Sequence, residues 1–264
     1  MVIKIGYPNK WRDYSALEIK PNDLVGNVIR AREFEHQYIV NKLGKPVDRE
    51  EWGMTPQEVN AQYNPSMNDI TFPAAILQAP FFDATADDAA NYGAIGGIIG
   101  HEISHGFDNM GSQFDSEGNM KDWWTVEDKK RFEEKTHSLV AQYNNYEVLP
   151  GYKVNGEQTL GENIADNSGL AIAYKAYKAS LNGKEAPVID GLTGDQRFYM
   201  GWAQAYRGKA TDKTKIMLLK VDNHSPDQIR GNYTLLNQPA FYDAFGVKEG
   251  DKMYLAPEKR VTIW

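Results

Sequence analysis

A helical stretch crowded with glycine sets the tightest limit on how this chain can fold. Between Ala89 and Asn109 the apolar positions Ile95, Ile98, Ile99 and Ile103 recur with helical spacing, and Gly93, Gly96, Gly97 and Gly100 fall among them. Each glycine costs a helix about 1 kcal/mol relative to alanine. Four in one segment predict that this helix packs closely against another backbone, where larger side chains would not fit.

The rest of the pattern is mostly helical. Asn22 or Asp23 can cap a helix running to about Leu43, with Gly44 beyond its end. Glu127 to about Tyr146, Thr159 to Ser180 (with Gly161 and Gly169) and Thr193 to Ala210 read as further helices. A polar loop and the apolar run Ile216 to Val221 come next. Glu58 to Gln62 and Asp69 to Phe72 read as short strands of a hairpin, parted by Asn64, Pro65 and Ser66. Residues 1–21, with Pro8 and Pro21, read as irregular. The expectation is one α-rich α+β domain over residues 1–264.

Composition narrows the chemistry. The chain has no cysteine, so a transition-metal site has to be built from His, Asp or Glu. Its formal net charge of -7 offers nothing to nucleic acid or to anionic lipid. No apolar run reaches membrane-spanning length, and the first residues lack the apolar core of a signal peptide.

Within the glycine-rich helix stands His101-Glu102-Ile103-Ser104-His105. Residues four apart share a helix face, so both imidazoles can reach one zinc ion while Glu102 projects beside them toward a metal-bound water. A catalytic zinc site needs a third protein ligand and an open fourth position. Glu162 is a candidate, with Asp166 one turn further along the same face, where it can accept a hydrogen bond from a ligating His. A solvated acidic helix face would have the same spacing. A three-histidine site of the form H-E-x-x-H-x-x-G-x-x-H is excluded, since Asp108 and Gly111 occupy the positions of its Gly and His. His36 and His137 sit on charged helices and read as surface residues. His224 lies in the turn-prone Asn223-His224-Ser225-Pro226, with Arg230 six residues on, where a loop can present donors to an oxyanion.

These residues carry a resemblance to the neprilysin and endothelin-converting-enzyme family of zinc metallopeptidases. It runs through Lys4-Ile5-Gly6-Tyr7-Pro8, Val59-Asn60-Ala61-Gln62-Tyr63, the segment from Phe72 to Phe82 and the segment from Ile99 to Asp108. It continues through Asp122-Trp123-Trp124-Thr125, Leu160-Gly161-Glu162-Asn163-Ile164-Ala165-Asp166-Asn167, His224-Ser225-Pro226 with Arg230, and the final Trp264. The resemblance implies a thermolysin-like fold with a small mixed sheet and two ligand-bearing helices. It implies one zinc ion on His101, His105 and Glu162, with Glu102 as general base, Asp166 orienting His101 and His224 donating to the transition state. It further implies that Asn60 and Ala61 bind substrate backbone and that Arg230, paired with Asp108, grips a substrate carbonyl. Ile76, Phe81, Ile98 and Tyr206 would line an apolar pocket for the side chain after the scissile bond, which Gly97 could enlarge.

The function so implied is zinc-dependent cleavage of oligopeptides. Two other readings stay open: a zinc-holding domain that binds peptides or partners without cutting them, and a zinc hydrolase acting on another bond, such as an amidase. The resemblance also implies a large helical region preceding this one in a longer protein. Absence of the cysteines of animal members favours a bacterial origin, and with it the cell envelope, periplasm or secretion.

Overall fold

In the computed structural model, which describes residues 1–264, helices form most of the regular structure. The chain begins with strand β1 (Val2–Gly6), helix α1 (Leu24–Val40) and strands β2 (Gln62–Asn64) and β3 (Asp69–Pro73). A continuous helical segment follows: α2 (Asp88–Asn91), a π-helical turn (Tyr92–Gly96) and α3 (Gly97–His105). Next come α4 (Val126–Tyr143), the short strands β4 (Glu147–Leu149) and β5 (Tyr152–Lys153), and the long α5 (Leu160–Ser180). Helices α6 (Gly194–Ala205), α7 (Asp212–Val221), α8 (Asp227–Tyr233) and α9 (Pro239–Phe245) complete it.

Local chemistry explains most boundaries. The Asp23 side chain accepts from the Gly26 N–H at the start of α1, and Thr125 and Thr211 cap α4 and α7 in the same way. Thr193 and Gln196 form a reciprocal capping box on α6. Helix α9 starts at Pro239 and stops at Gly246, whose left-handed backbone (φ 63°) suits a residue without a Cβ. None of these helices is long and apolar enough to cross a membrane.

The main sheet has the order β1-β3-β2, with β1 parallel and β2 antiparallel to β3, so it is small and mixed as expected. Three local expectations need correction. Residues 2–6 are a strand, because Val2 to Gly6 pair with Asp69 to Pro73; Lys4 faces inward to meet Asp69 at 2.5 Å while Ile3 and Ile5 face out. The hairpin strand starts at Gln62, where pairing with Thr71 begins, so the residues from Glu58 to Ala61 approach it without ladder partners. The helix expected from Thr193 to Ala210 stops at Ala205, and a separate helix, which takes in Ile216 to Val221, starts at Asp212, where the Thr211 hydroxyl accepts the Thr214 N–H.

Three apolar clusters hold the elements together. Ile70 and Phe72 of β3 pack with Ile95 and Ile98, seating the sheet against α3 and the π turn. Leu170, Phe198, Tyr199, Trp202 and Phe241 join α5, α6 and α9. Leu139, Ile164, Ile229 and Ile263 join α4, α5, α8 and the tail. Helix α5 therefore contributes to two of the three and also packs along α3. At that crossing a Cβ on Gly100 would overlap the Gly169 carbonyl, and one on Gly169 would overlap the His101 amide. This is the backbone contact that the glycine pattern predicts. Gly97 is placed otherwise than expected: it lies beneath Trp202, whose Cε3 would be 2.7 Å from an added Cβ, and it does not line the cleft described below.

Candidate metal centre and cleft

Helix α3 ends at His105, four residues short of the predicted Asn109, because the Asp108 carboxylate collects the N–H groups of Met110 and Gly111 at 2.7 Å each and folds residues 106–111 into a turn. His101 and His105 thus occupy the last helical turn. Across the glycine crossing, Glu162 sits in the first turn of α5.

Each imidazole is oriented by a carboxylate. His101 donates from Nδ1 to Asp166 Oδ1 at 2.8 Å, and His105 donates from Nδ1 to Asp108 Oδ2 at 2.7 Å. With the Nδ1 protons so engaged, both rings turn Nε2 inward, where each offers a lone pair in the neutral form that a metal ligand takes. The two Nε2 atoms lie 3.0 Å apart, and Glu162 Oε2 lies 3.3 Å from the first and 3.5 Å from the second. Four tetrahedral ligands about 2.0–2.1 Å from a zinc ion stand ~3.3 Å from one another. Three lone-pair atoms in a triangle of that size repel unless a cation sits among them, and Glu162 Oε2 is buried with no hydrogen-bond donor. The residues fit the ion.

The electrostatics agree. Burial opposes charge on His101, yet Asp166 and Glu162 raise its pKa overall; His105, likewise buried, is pushed up to about 10 by Asp108 and Glu162. Burial also works against ionised Glu162, but the two imidazoles hold it well below the usual carboxylate range. The cluster therefore calls for positive charge at its centre. Glu102, 6% exposed, is different: burial raises its carboxyl above the ordinary value, with the imidazoles pulling the other way.

A cleft of about 810 Å³ opens over these atoms. Its wall includes His101, Glu102, His105, Glu162, His224, Arg230, Asp108, Asn60, Ala61, Ile76, Phe81, Ile98 and Tyr206. Asp166 stays behind the wall, 1% exposed. No backbone–backbone hydrogen bond engages residues 59–61, which leaves a free edge beside the cluster. His36 and His137 are exposed and remote from the cluster.

One pairing is corrected. Arg230 does not meet Asp108; its guanidinium grips Asp166, Nε to Oδ2 and Nη2 to Oδ1, both at 2.8 Å, and stacks over the Tyr206 ring at 4.4 Å. Asp108 is occupied instead by His105, its neighbour across the helix end. Two residues were missed. Asp222 accepts from both the backbone N–H and Nδ1 of His224, and Asn223 donates from Nδ2 to Glu162 Oε1 at 3.2 Å. The consecutive polar run Asp222-Asn223-His224-Ser225 was their signal. His224 Nε2 lies 3.3 Å from Glu162 Oε2, so this loop faces the same centre.

Comparison with known proteins places this geometry in a family. Neprilysin-1 of Caenorhabditis elegans is 42% identical over all of this chain and 37% of its own length, and the neutral endopeptidase of Lactobacillus helveticus is 43% identical over all of this chain and 39% of its own. A crystal structure of the Mycobacterium tuberculosis zinc metalloprotease in complex with an inhibitor superposes with a TM-score of 0.96 at 54% identity, covering all of this chain and 41% of that one. The chain spans well under half the length of each. The model of peptidase family M13 matches residues 60–261, a span that takes in α3, the start of α5 and the His224 loop, and this chain therefore belongs to that family.

Proposed function

We propose that this chain is a catalytic domain that hydrolyses peptide bonds in oligopeptides, with one zinc ion held by His101, His105 and Glu162. The observation that carries it is the convergence of three oriented lone-pair atoms at zinc spacing beside a buried carboxyl. When bound, zinc supplies Lewis acidity, polarising a carbonyl and making a water acidic near neutral pH. Glu102, whose carboxyl burial pushes above its ordinary value, takes one proton from the attacking water and returns it to the leaving amine. With both ring nitrogens protonated, His224 donates from Nδ1 to Asp222 and from Nε2, which faces the centre, to the oxyanion.

The remaining residues bind and orient. An extended peptide adds to the free edge at Asn60 and Ala61 as another strand, a mode that favours peptides over other amides. Arg230, fixed by Asp166, presents its guanidinium to a substrate carbonyl. Ile76, Phe81, Ile98 and Tyr206 accept an apolar side chain on the amino-terminal residue of the leaving fragment. Asp166 and Asp108 keep His101 and His105 aimed at the metal.

The test is cleavage of matched peptides differing only in the residue after the scissile bond, with zinc content measured alongside. Zinc-dependent cutting ahead of Leu or Phe, faster than ahead of Asp or Lys, is expected. Stoichiometric zinc without any cleavage would leave a peptide-binding module in its place.

A further inference from the structure

We propose that Trp264 is a positioning residue for the metal centre: its ring clamps the turn that carries Asp108 and so keeps His105 in its ligand orientation. This rests on the metal-site reading above. The Trp264 ring stacks on Phe132 at 5.6 Å and Trp124 at 6.1 Å, and meets Phe107 edge-on at 6.0 Å. Phe107 immediately precedes Asp108. At the other end of the same turn the Trp124 indole N–H donates to the Ser112 carbonyl at 2.9 Å. One aromatic stack thus holds both flanks of residues 107–112.

The chain end is itself anchored. Ile263 is 3% exposed among Leu139, Ile164 and Ile229, and its carbonyl accepts from Lys135 Nζ at 2.8 Å. Ile164 lies two residues beyond Glu162, and Ile229 adjoins Arg230. Within the turn, the Met110 and Gly111 amides lock Asp108 to its own loop, and the Gly106 and Phe107 amides tie the start of the turn to the Ile103 and Ser104 carbonyls of α3. The aromatic clamp adds side-chain contacts at both flanks of the turn. If the turn drifts, the acceptor of the His105 Nδ1 proton drifts with it, and the ring loses its aim. Phe107 and Trp264 are each 44% exposed, so truncating either removes the clamp without opening a deep cavity.

The experiment measures zinc affinity of the 264-residue chain by competition with a chromophoric chelator, well below the unfolding temperature. Trp264→Ala is expected to weaken zinc about tenfold, and Trp264→Phe to stay within about twofold of the parent. Phe245→Ala, a half-exposed aromatic at the end of α9 in a different core, reports ordinary packing loss and should leave zinc affinity unchanged. Asp108→Ala should lose about 10- to 100-fold, and adding Trp264→Ala to it should lose no more, because both act through one hydrogen bond. Phe107→Leu replaces Trp264→Ala if the latter does not fold. Zinc affinity within twofold of the parent in Trp264→Ala or Phe107→Leu, or losses that multiply in the double variant, would overturn the clamp alone. A parent chain that binds no zinc would overturn the metal-site reading and the clamp together.

Discussion

Arg230 lies fork to fork with Asp166, so that one buried carboxylate holds a guanidinium on one side and the His101 imidazole on the other. Burial pushes the Asp166 carboxyl up, but Arg230 and His101 more than reverse this and hold it at about 2, against an ordinary 3.8. A depressed folded pKa means that Asp166 stabilises the fold fully above 3.8 and loses that contribution as pH falls through about 2. Arg230→Met strands the carboxylate. It should lower stability by about 3–5 kcal/mol and move acid unfolding to higher pH. Urea unfolding followed from neutral pH into acid measures both, and an unmoved acid limb would count against the pairing as the cause.

In the proposed mechanism Glu102 touches the reaction but not the metal triangle, which separates its loss from that of a ligand. Glu102→Gln should keep zinc at the parent's stoichiometry while turnover falls by at least ~10²–10⁴-fold. His105→Ala should lose the metal and turnover together. A chelator should abolish activity of the parent, and added zinc should restore it. Metal analysis beside a peptide assay reads all three; zinc loss in Glu102→Gln would show that the carboxylate holds the ion.

In the proposed mechanism His224 is a donor to charge that develops only in the transition state. His224→Ala is therefore expected to cut kcat by about 10²–10³-fold, near 3–4 kcal/mol, with little change in KM. Asp222→Asn should produce a smaller fall of the same kind, since it disturbs only the aim of the ring. A rise in KM at constant kcat would reassign His224 to ground-state binding.

The crossing of α3 and α5 is where fold and site are the same thing. Gly100→Ala and Gly169→Ala each drive a methyl into the opposite backbone. Each should cost at least about 1–3 kcal/mol and reduce zinc retention, because His101 lies next to Gly100 and shares the crossing with α5. Gly53→Ala, which meets only a flexible Gln62 side chain at 3.7 Å, should change stability by less than about 0.5 kcal/mol. Thermal unfolding with zinc analysis compares the three. A tolerated methyl at Gly100 would mean that the helices can separate without consequence for the site.

How far the sequence could be read differs from residue to residue for a common reason. Helical period and capping residues act over three or four positions, so α1, α4, α5 and α6 were legible, as was the shared helix face of His101 and His105. Strand β1 was not, because its formation depends on Asp69 to Pro73, far along the chain, and its buried Lys4 inverts the usual pattern. The end of α3 was missed for a subtler reason: the Asp108 carboxylate competes with the helix for its amides.

The sequence alone thus determined which side chains could serve a metal: the H-E-x-x-H face follows from helix geometry, and the lack of cysteine leaves only His, Asp and Glu as ligands. Tertiary structure decided the partners that sequence left unassigned, giving Arg230 to Asp166, Asp108 to His105, and Asn223 to Glu162. Spacing along a chain constrains neighbours on one element, whereas hydrogen bonds between elements depend on through-space distances of about 3 Å, which only the packed backbones of α3, α5 and α8 establish.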